Sequence, residues 1–309
     1  MTPGNDAERS PTGASRCRGG PPPDLTSRPL IVDTHVHVWY RHQPWMAWLA
    51  ERPVSWDSVR DDFGWSRLRA ELDDAGVAEL VLVQAGTDTE ETRLLLELAE
   101  SQQSIIGVVG WVGMSSPGAT EKDLASINGG KLVGVRTLHR WRPDGEILAD
   151  PGVAGSFRVL ADRGLTIDLF VNDHTELPLL PPLIEAVPNG RYVINHLGRP
   201  PIDQDATAQR LWRLAMTRLA ALPGVFVKFS GWGTVVRRAE AADVARYAEH
   251  VFATFGPART MYASNWPVAL VAAGYHDTFA ATLEALSGLT LAEREAVLGG
   301  TARACYLTT

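Results

Sequence analysis

From Leu30 onward, short unbroken apolar runs alternate with longer stretches in which apolar residues recur every third or fourth position. The first pattern predicts strands buried on both faces, and the second predicts amphipathic helices. Strands are expected at residues 31–38, 79–85, 105–112, 131–138, 165–170, 191–195, 225–229 and 260–264. Helices fall between them at 65–75, 89–101, 119–128, 152–163, 177–186, 206–222 and 239–255, with closing helices at 275–287 and 291–304. Gly76 stands where a helix C-cap is wanted, and Glu90 and Glu91 sit in the first turn of the second helix, where the macrodipole favours acids. Eight apolar strands, each followed by a helical segment, predict a parallel sheet closed on itself, a (β/α)8 TIM barrel in a single domain. An open doubly wound sheet is the alternative. No GxGxxG or GxxxxGK[ST] follows any strand, which weakens a nucleotide-binding version of it.

The strand at 31–38 carries His35 and His37, two residues apart. Side chains in a strand alternate faces, so both imidazoles point the same way. Paired neutral imidazoles suit metal binding or proton transfer, although two histidines can equally face solvent. In a barrel the C-terminal strand ends form one mouth, where the pair would find partners. The fourth strand supplies Arg136 and His139 there, and the fifth Asn172, Asp173 and His174. Asn195 and His196 close the sixth, Lys228 the seventh, and Asn265 and Trp266 the eighth. Convergence from six strands favours a shared site over separate structural roles. Arg136 and Lys228 are candidates for holding a substrate carboxylate or a polarised carbonyl, the arginine because its fork meets two oxygens at once. The alternative for both is a buried ion pair with Asp168 or Asp173. Trp39, Trp141 and Trp232 follow strands one, four and seven and are candidate pocket walls.

Composition narrows the partners. The chain has 309 residues, 45% of them hydrophobic, and a net charge of −7 spread without acidic or basic blocks. Nothing in that pattern favours nucleic acid or an anionic membrane, and no apolar run approaches the roughly 20 residues of a membrane span. Its two cysteines, Cys17 and Cys305, form neither a disulfide framework nor a thiolate cluster, so a cytoplasmic location is the default expectation. Residues 1–28, rich in Pro, Gly and Ser, are expected to be a disordered or draped leader, with the barrel over 29–309. The irregular segment from Trp39 to Asp62 holds Trp45, Trp48 and Trp56 and suits either a lid over a pocket or a plug for the barrel end. Asp73, Asp74, Glu90 and Glu91 read as solvated helix residues. A small molecule is the expected partner, and the oligomeric state, a homo-oligomer included, is open.

Several motifs together resemble the amidohydrolase-related branch of the amidohydrolase superfamily. They are His35-Val36-His37, Ile194-Asn195-His196-Leu197-Gly198-Arg199-Pro200, Lys228-Phe229-Ser230-Gly231-Trp232 and Tyr262-Ala263-Ser264-Asn265-Trp266-Pro267-Val268. Within that branch they are most similar to the L-fuconolactonase and 2-pyrone-4,6-dicarboxylate lactonase group. The resemblance implies a distorted barrel, hydrolysis of a sugar-acid or dicarboxylate lactone, and at most one divalent metal ion, zinc first, or none. It implies that His35, His37 and His196 hold that ion or polarise the carbonyl directly. The family pattern after strand eight is Ser-Asp-Trp-Pro, its aspartate activating the water, whereas this chain has Ser264-Asn265-Trp266-Pro267. An amide is not basic at neutral pH, so His196 or His174 becomes the candidate base. The expected function is therefore hydrolysis of a lactone or other cyclic ester or amide of a small carboxylated molecule, with Asn265 engineered or natural at the usual aspartate position. A non-hydrolytic lyase, cyclase or decarboxylase, or a catalytically silent binding protein, remains the alternative.

Overall fold

Valine, isoleucine and leucine crowd the strands because each strand is buried on both faces. The computed structural model describes residue 1 and residues 30–127, 129–137 and 151–307. Its strands are β1 (Val32–Val36), β2 (Glu79–Val83), β3 (Ile105–Gly110), β4 (Leu132–Thr137), β5 (Thr166–Leu169), β6 (Arg191–Ile194), β7 (Val225–Phe229) and β8 (Thr260–Tyr262). They pair in parallel in the order β1 to β8. The loop after β8 carries the sheet back to β1: Asn265 N donates to His35 O at 2.9 Å and His37 N to Trp266 O at 2.8 Å. The expected single-domain (β/α)8 TIM barrel is thus present, nearly closed.

The helices among the described residues are α1 (Trp65–Ala75), α2 (Thr89–Ser101), α3 (Pro117–Ser126), α4 (Pro151–Asp162), α5 (Leu180–Ala186), α6 (Ala206–Ala220), α7 (Trp232–Val236), α8 (Ala241–Thr254), α9 (Tyr275–Ala285), α10 (Leu291–Glu295) and α11 (Thr301–Tyr306). Strand residues Ile167, Leu169, Ile194, Val225 and Val227 pack in the layer beneath them. Val81, Val83, Val109, Val193 and Met261 form a second cluster inside the barrel, completed by Cys305 and Tyr306 of α11. The helix expected at 177–186 is split: a 3-10 turn, His174–Leu179, precedes α5, because Pro178 lacks an N–H and prolines open α5. The helix expected at 291–304 passes through a π-turn, Ala296–Gly300, where Gly299 lies against Leu30 O so closely that a Cβ would clash.

Glu91 corrects another expectation. It is buried and caps the β2–α2 loop, its carboxylate accepting the backbone N–H groups of Ala85 and Gly86 at 2.8 Å each. The leader expected over 1–28, Met1 apart, and the segment holding His139 and Trp141 lie outside the described residues. No helix among the described residues is long and apolar enough to cross a membrane.

Candidate active site

Inward alternation on β1 brings His35 and His37 to the barrel mouth, their ring centroids 4.9 Å apart. His196, just past β6, lies 4.5 Å from His35 by the same measure. His37 Nδ1 is 2.7 Å from Val83 O. A carbonyl can only accept, so Nδ1 carries the hydrogen and Nε2 keeps its lone pair. Burial, reinforced by the charge of Arg136, lowers the His37 pKa to about 3, and the ring is neutral. Burial and then Arg136 also hold His196 well below the ordinary histidine range, and its Nδ1 is 2.9 Å from Ser230 Oγ. His35 is fully buried beneath these two, with Lys228 Nζ 3.3 Å from its Nδ1 and no partner at Nε2.

The backbone is bent to achieve this. His196, Leu197, Gly198 and Arg199 take φ values of 56°, 54°, 63° and 57°. Left-handed backbone costs a non-glycine residue roughly 1–2 kcal/mol. The turn is held where Trp212 Nε1 donates to Leu197 O at 2.9 Å and where Gly231 presses on His196. Its product is a chain reversal that places both His196 and Arg199 on the pocket wall.

The pocket has a volume of about 910 Å³. Trp39, Trp45, Trp48, Trp56, Trp111 and Phe170 supply aromatic walls, and Arg52, Arg136 and Arg199 supply positive charge against a single acid, Glu51, among the described lining residues. The segment between β1 and α1 is thus a pocket wall and not only a plug. Arg136 lies over Phe170, its Cζ 4.6 Å from the ring centroid, and donates to Gln84 O at 3.2 Å. Its buried Nε has no partner. Burial lowers the Arg136 pKa to about 10, so it remains a cation at neutral pH. No carboxylate among the described residues forms an ion pair with Arg136 or Arg199. A buried cation, Arg136, beside the half-buried Arg199, with no paired carboxylate among the described residues, makes an anion site, since such charges are costly unless paired.

Asn265 has φ 61° and faces the pocket, as does His37. Asparagine is among the few residues that enter the left-handed region readily. Asp33 clamps this corner: its Oδ1 accepts Ser264 N at 2.9 Å and His35 N at 3.2 Å, and its Oδ2 accepts the Tyr275 hydroxyl at 2.8 Å.

Of the strand-end residues singled out from sequence, His37, His196, Arg136, Trp39, Asn172 and Asn265 line the pocket. Lys228 is fully buried, its Nζ 2.6 Å from Asp168 Oδ2, so it is spent on the ion pair and not on the cavity. Trp232 packs on Phe229 with centroids 5.3 Å apart, and His174 lies 3.2 Å from Asp173 Oδ1; neither lines the cavity. Sequence reasoning gave no role to Arg199, Arg52, Asp33, Ser230, Phe170 or Trp111. Arg199 was within reach, standing three residues past a strand-end histidine and just after a glycine.

Residues 32–307 match the amidohydrolase family. This chain belongs to that family. An L-fucono-1,5-lactonase of Burkholderia multivorans is 32% identical to it over 294 residues, covering 90% of this chain and 96% of that one. An L-fucono-1,5-lactonase of Burkholderia ambifaria is 31% identical over 248 residues, covering 80% and 83%. A crystal structure of a Burkholderia multivorans amidohydrolase with bound zinc superposes with a TM-score of 0.82 at 30% identity, covering 91% of this chain and 100% of that one. The resemblance read from the motifs is borne out: this amidohydrolase is an enzyme of hydrolase type with lactonase relatives.

Proposed function

We propose that this amidohydrolase opens the ring of a small carboxylated lactone, with residue 265 at the seat of the attacking water. The observation that carries the reading is the meeting of neutral imidazoles and two guanidiniums, Arg136 and Arg199, that no carboxylate among the described residues pairs, at one barrel mouth. The guanidiniums would grip the substrate carboxylate two-pronged while the aromatic walls hold the ring. The amide oxygen of Asn265 can accept a hydrogen bond from water and orient it, but it cannot take the proton. That proton falls to His196, which lines the cavity and whose Nδ1 is engaged with Ser230. With its pKa held well below 6.5, His196 is a weak base, and slow turnover of the chain as written follows.

A catalytic zinc site needs about three converging protein donors with free lone pairs. Here His35 turns one nitrogen to an ammonium, residue 265 offers an amide in place of a carboxylate, and no group of three or more His, Cys, Asp or Glu among the described residues is placed to hold a metal ion. This donor set does not fit a resident divalent ion, and the reaction above is derived without one.

The test is hydrolysis of a panel of neutral aldonic and carboxylated lactones. Carboxylated rings should show the higher kcat/KM. Preference for neutral rings would defeat the proposal. The amide at 265 also favours a second reading, a binding protein that orients but does not hydrolyse, and it gains if ligands bind tightly while no lactone is opened by either the Asn265 or the Asn265→Asp form.

A further inference from the structure

We propose that Lys228, Asp168 and Tyr306 are positioning residues that hold His35 in its Nε2–H tautomer, so that the site presents a hydrogen-bond donor where a metal would require a lone pair. The inference does not depend on which ring the enzyme opens.

Lys228 lies on the inward face of β7, fully buried, between Asp168 of β5 and His35 of β1. Its Nζ is 2.6 Å from Asp168 Oδ2 and 3.3 Å from His35 Nδ1. The same carboxylate accepts the Tyr306 hydroxyl at 3.0 Å on Oδ1 and 3.2 Å on Oδ2, from the helix that closes the barrel interior. The Tyr306 ring also lies 5.4 Å from Nζ, offering its π-face to the cation.

An ammonium has donors and no acceptor, so the imidazole nitrogen that meets it must accept. A neutral imidazole has one accepting and one donating nitrogen, and with Nδ1 accepting, the hydrogen resides on Nε2. A doubly protonated ring would turn an N–H at Nδ1 toward the ammonium 3.3 Å away, donor against donor. A neutral lysine would leave the buried Asp168 carboxylate without the ammonium 2.6 Å away that balances its charge, a poorly compensated charge. The Nε2 atom meanwhile has no partner and sits among the three imidazoles. It would attract an oxygen arriving between the rings, and with Lys228 behind it would repel a cation. Tyr306 and Asp168 act through Lys228, and Lys228 through His35; none of the three touches the pocket.

Long-range proton–nitrogen correlation spectra of ¹⁵N-labelled protein read histidine tautomers directly, and the His35 signals are those lost in His35→Gln. The expected result in the unaltered protein is hydrogen on Nε2 alone. Hydrogen on Nδ1, or on both nitrogens, overturns the proposal, and this arm needs no variant to fold. The second arm is the double substitution Lys228→Met with Asp168→Asn, which removes the ammonium without stranding a buried charge. Its His35 should shift toward the Nδ1–H form, and zinc affinity by titration calorimetry should rise about tenfold or more, the scale at which outer-shell partners tune metal sites. A purely packing role predicts lost stability alone. A folded double variant that keeps the original tautomer, or changes it with no gain in zinc affinity, overturns the assignment.

Discussion

Gly231→Ala tests whether the placement of His196 matters to the chemistry. Gly231 has φ 76°, and a Cβ there would lie 2.6 Å from His196 Cβ, 2.7 Å from Cγ and 2.9 Å from Nδ1. Carbon atoms settle at about 3.5–4.0 Å, so the imidazole must retreat by roughly 1 Å. The left-handed backbone adds about 1–2 kcal/mol for any residue with a Cβ. Overpacking adds about 1–3 kcal/mol, for a total loss of roughly 2–5 kcal/mol. A 1 Å retreat also breaks the 2.9 Å contact of Nδ1 with Ser230 Oγ. Misplacement on that scale costs on the order of 10²-fold in rate. Urea unfolding gives the stability, and kcat on the preferred lactone gives the rate. A folded Gly231→Ala protein that keeps kcat within a factor of about two would remove His196 from the reaction, since a shift of this size does not spare a positioned base.

Two further expectations concern the pocket wall. Arg199→Met should raise KM for carboxylated lactones about 10- to 100-fold, the worth of a charged hydrogen bond, and leave KM for neutral lactones little changed; an equal effect on both would show a structural role instead. Burial lifts the Glu91 carboxyl to about 7, against two backbone N–H groups that favour its ionised form. Its folded pKa lies above the unfolded one, so its stabilising contribution is complete below about pH 4.5 and is lost as pH rises through 7, on the order of 3 kcal/mol in all. Unfolding free energies should therefore fall across that window, and Glu91→Gln should flatten the slope; an unchanged slope would place the titration elsewhere.

The barrel was legible because local and global signals agree along the chain. The limits of α1, α2 and β7 coincide with those read from periodicity, and their caps explain why: Gly76 takes φ 69° after α1, and Asp88 accepts Glu90 N at the start of α2. Period-two alternation likewise placed His35 and His37 on one face. What escaped was set by partners distant in sequence. Lys228 read first as a substrate binder, with an ion pair to Asp168 or Asp173 as the alternative, because nothing local chooses between them; the structure sets it 2.6 Å from Asp168, 60 residues earlier. Glu91 read as a solvated cap because its burial depends on the β2–α2 loop folding over it. The left-handed turn from His196 to Arg199 has only one glycine to announce it, and the tertiary contacts with Trp212 and Gly231 sustain it.

The central claim is that residue 265 seats the attacking water and that an amide there leaves its proton to a weak base, His196. The measurement that bears on it most directly compares kcat of the Asn265 protein with that of Asn265→Asp on the same carboxylated lactone. A positioned general base contributes about 10²–10⁴-fold, so the aspartate form should turn over faster by a factor in that range with KM little changed. Equal kcat in the two forms would contradict the account, since a carboxylate at the seat of the water would then add nothing to the base already present.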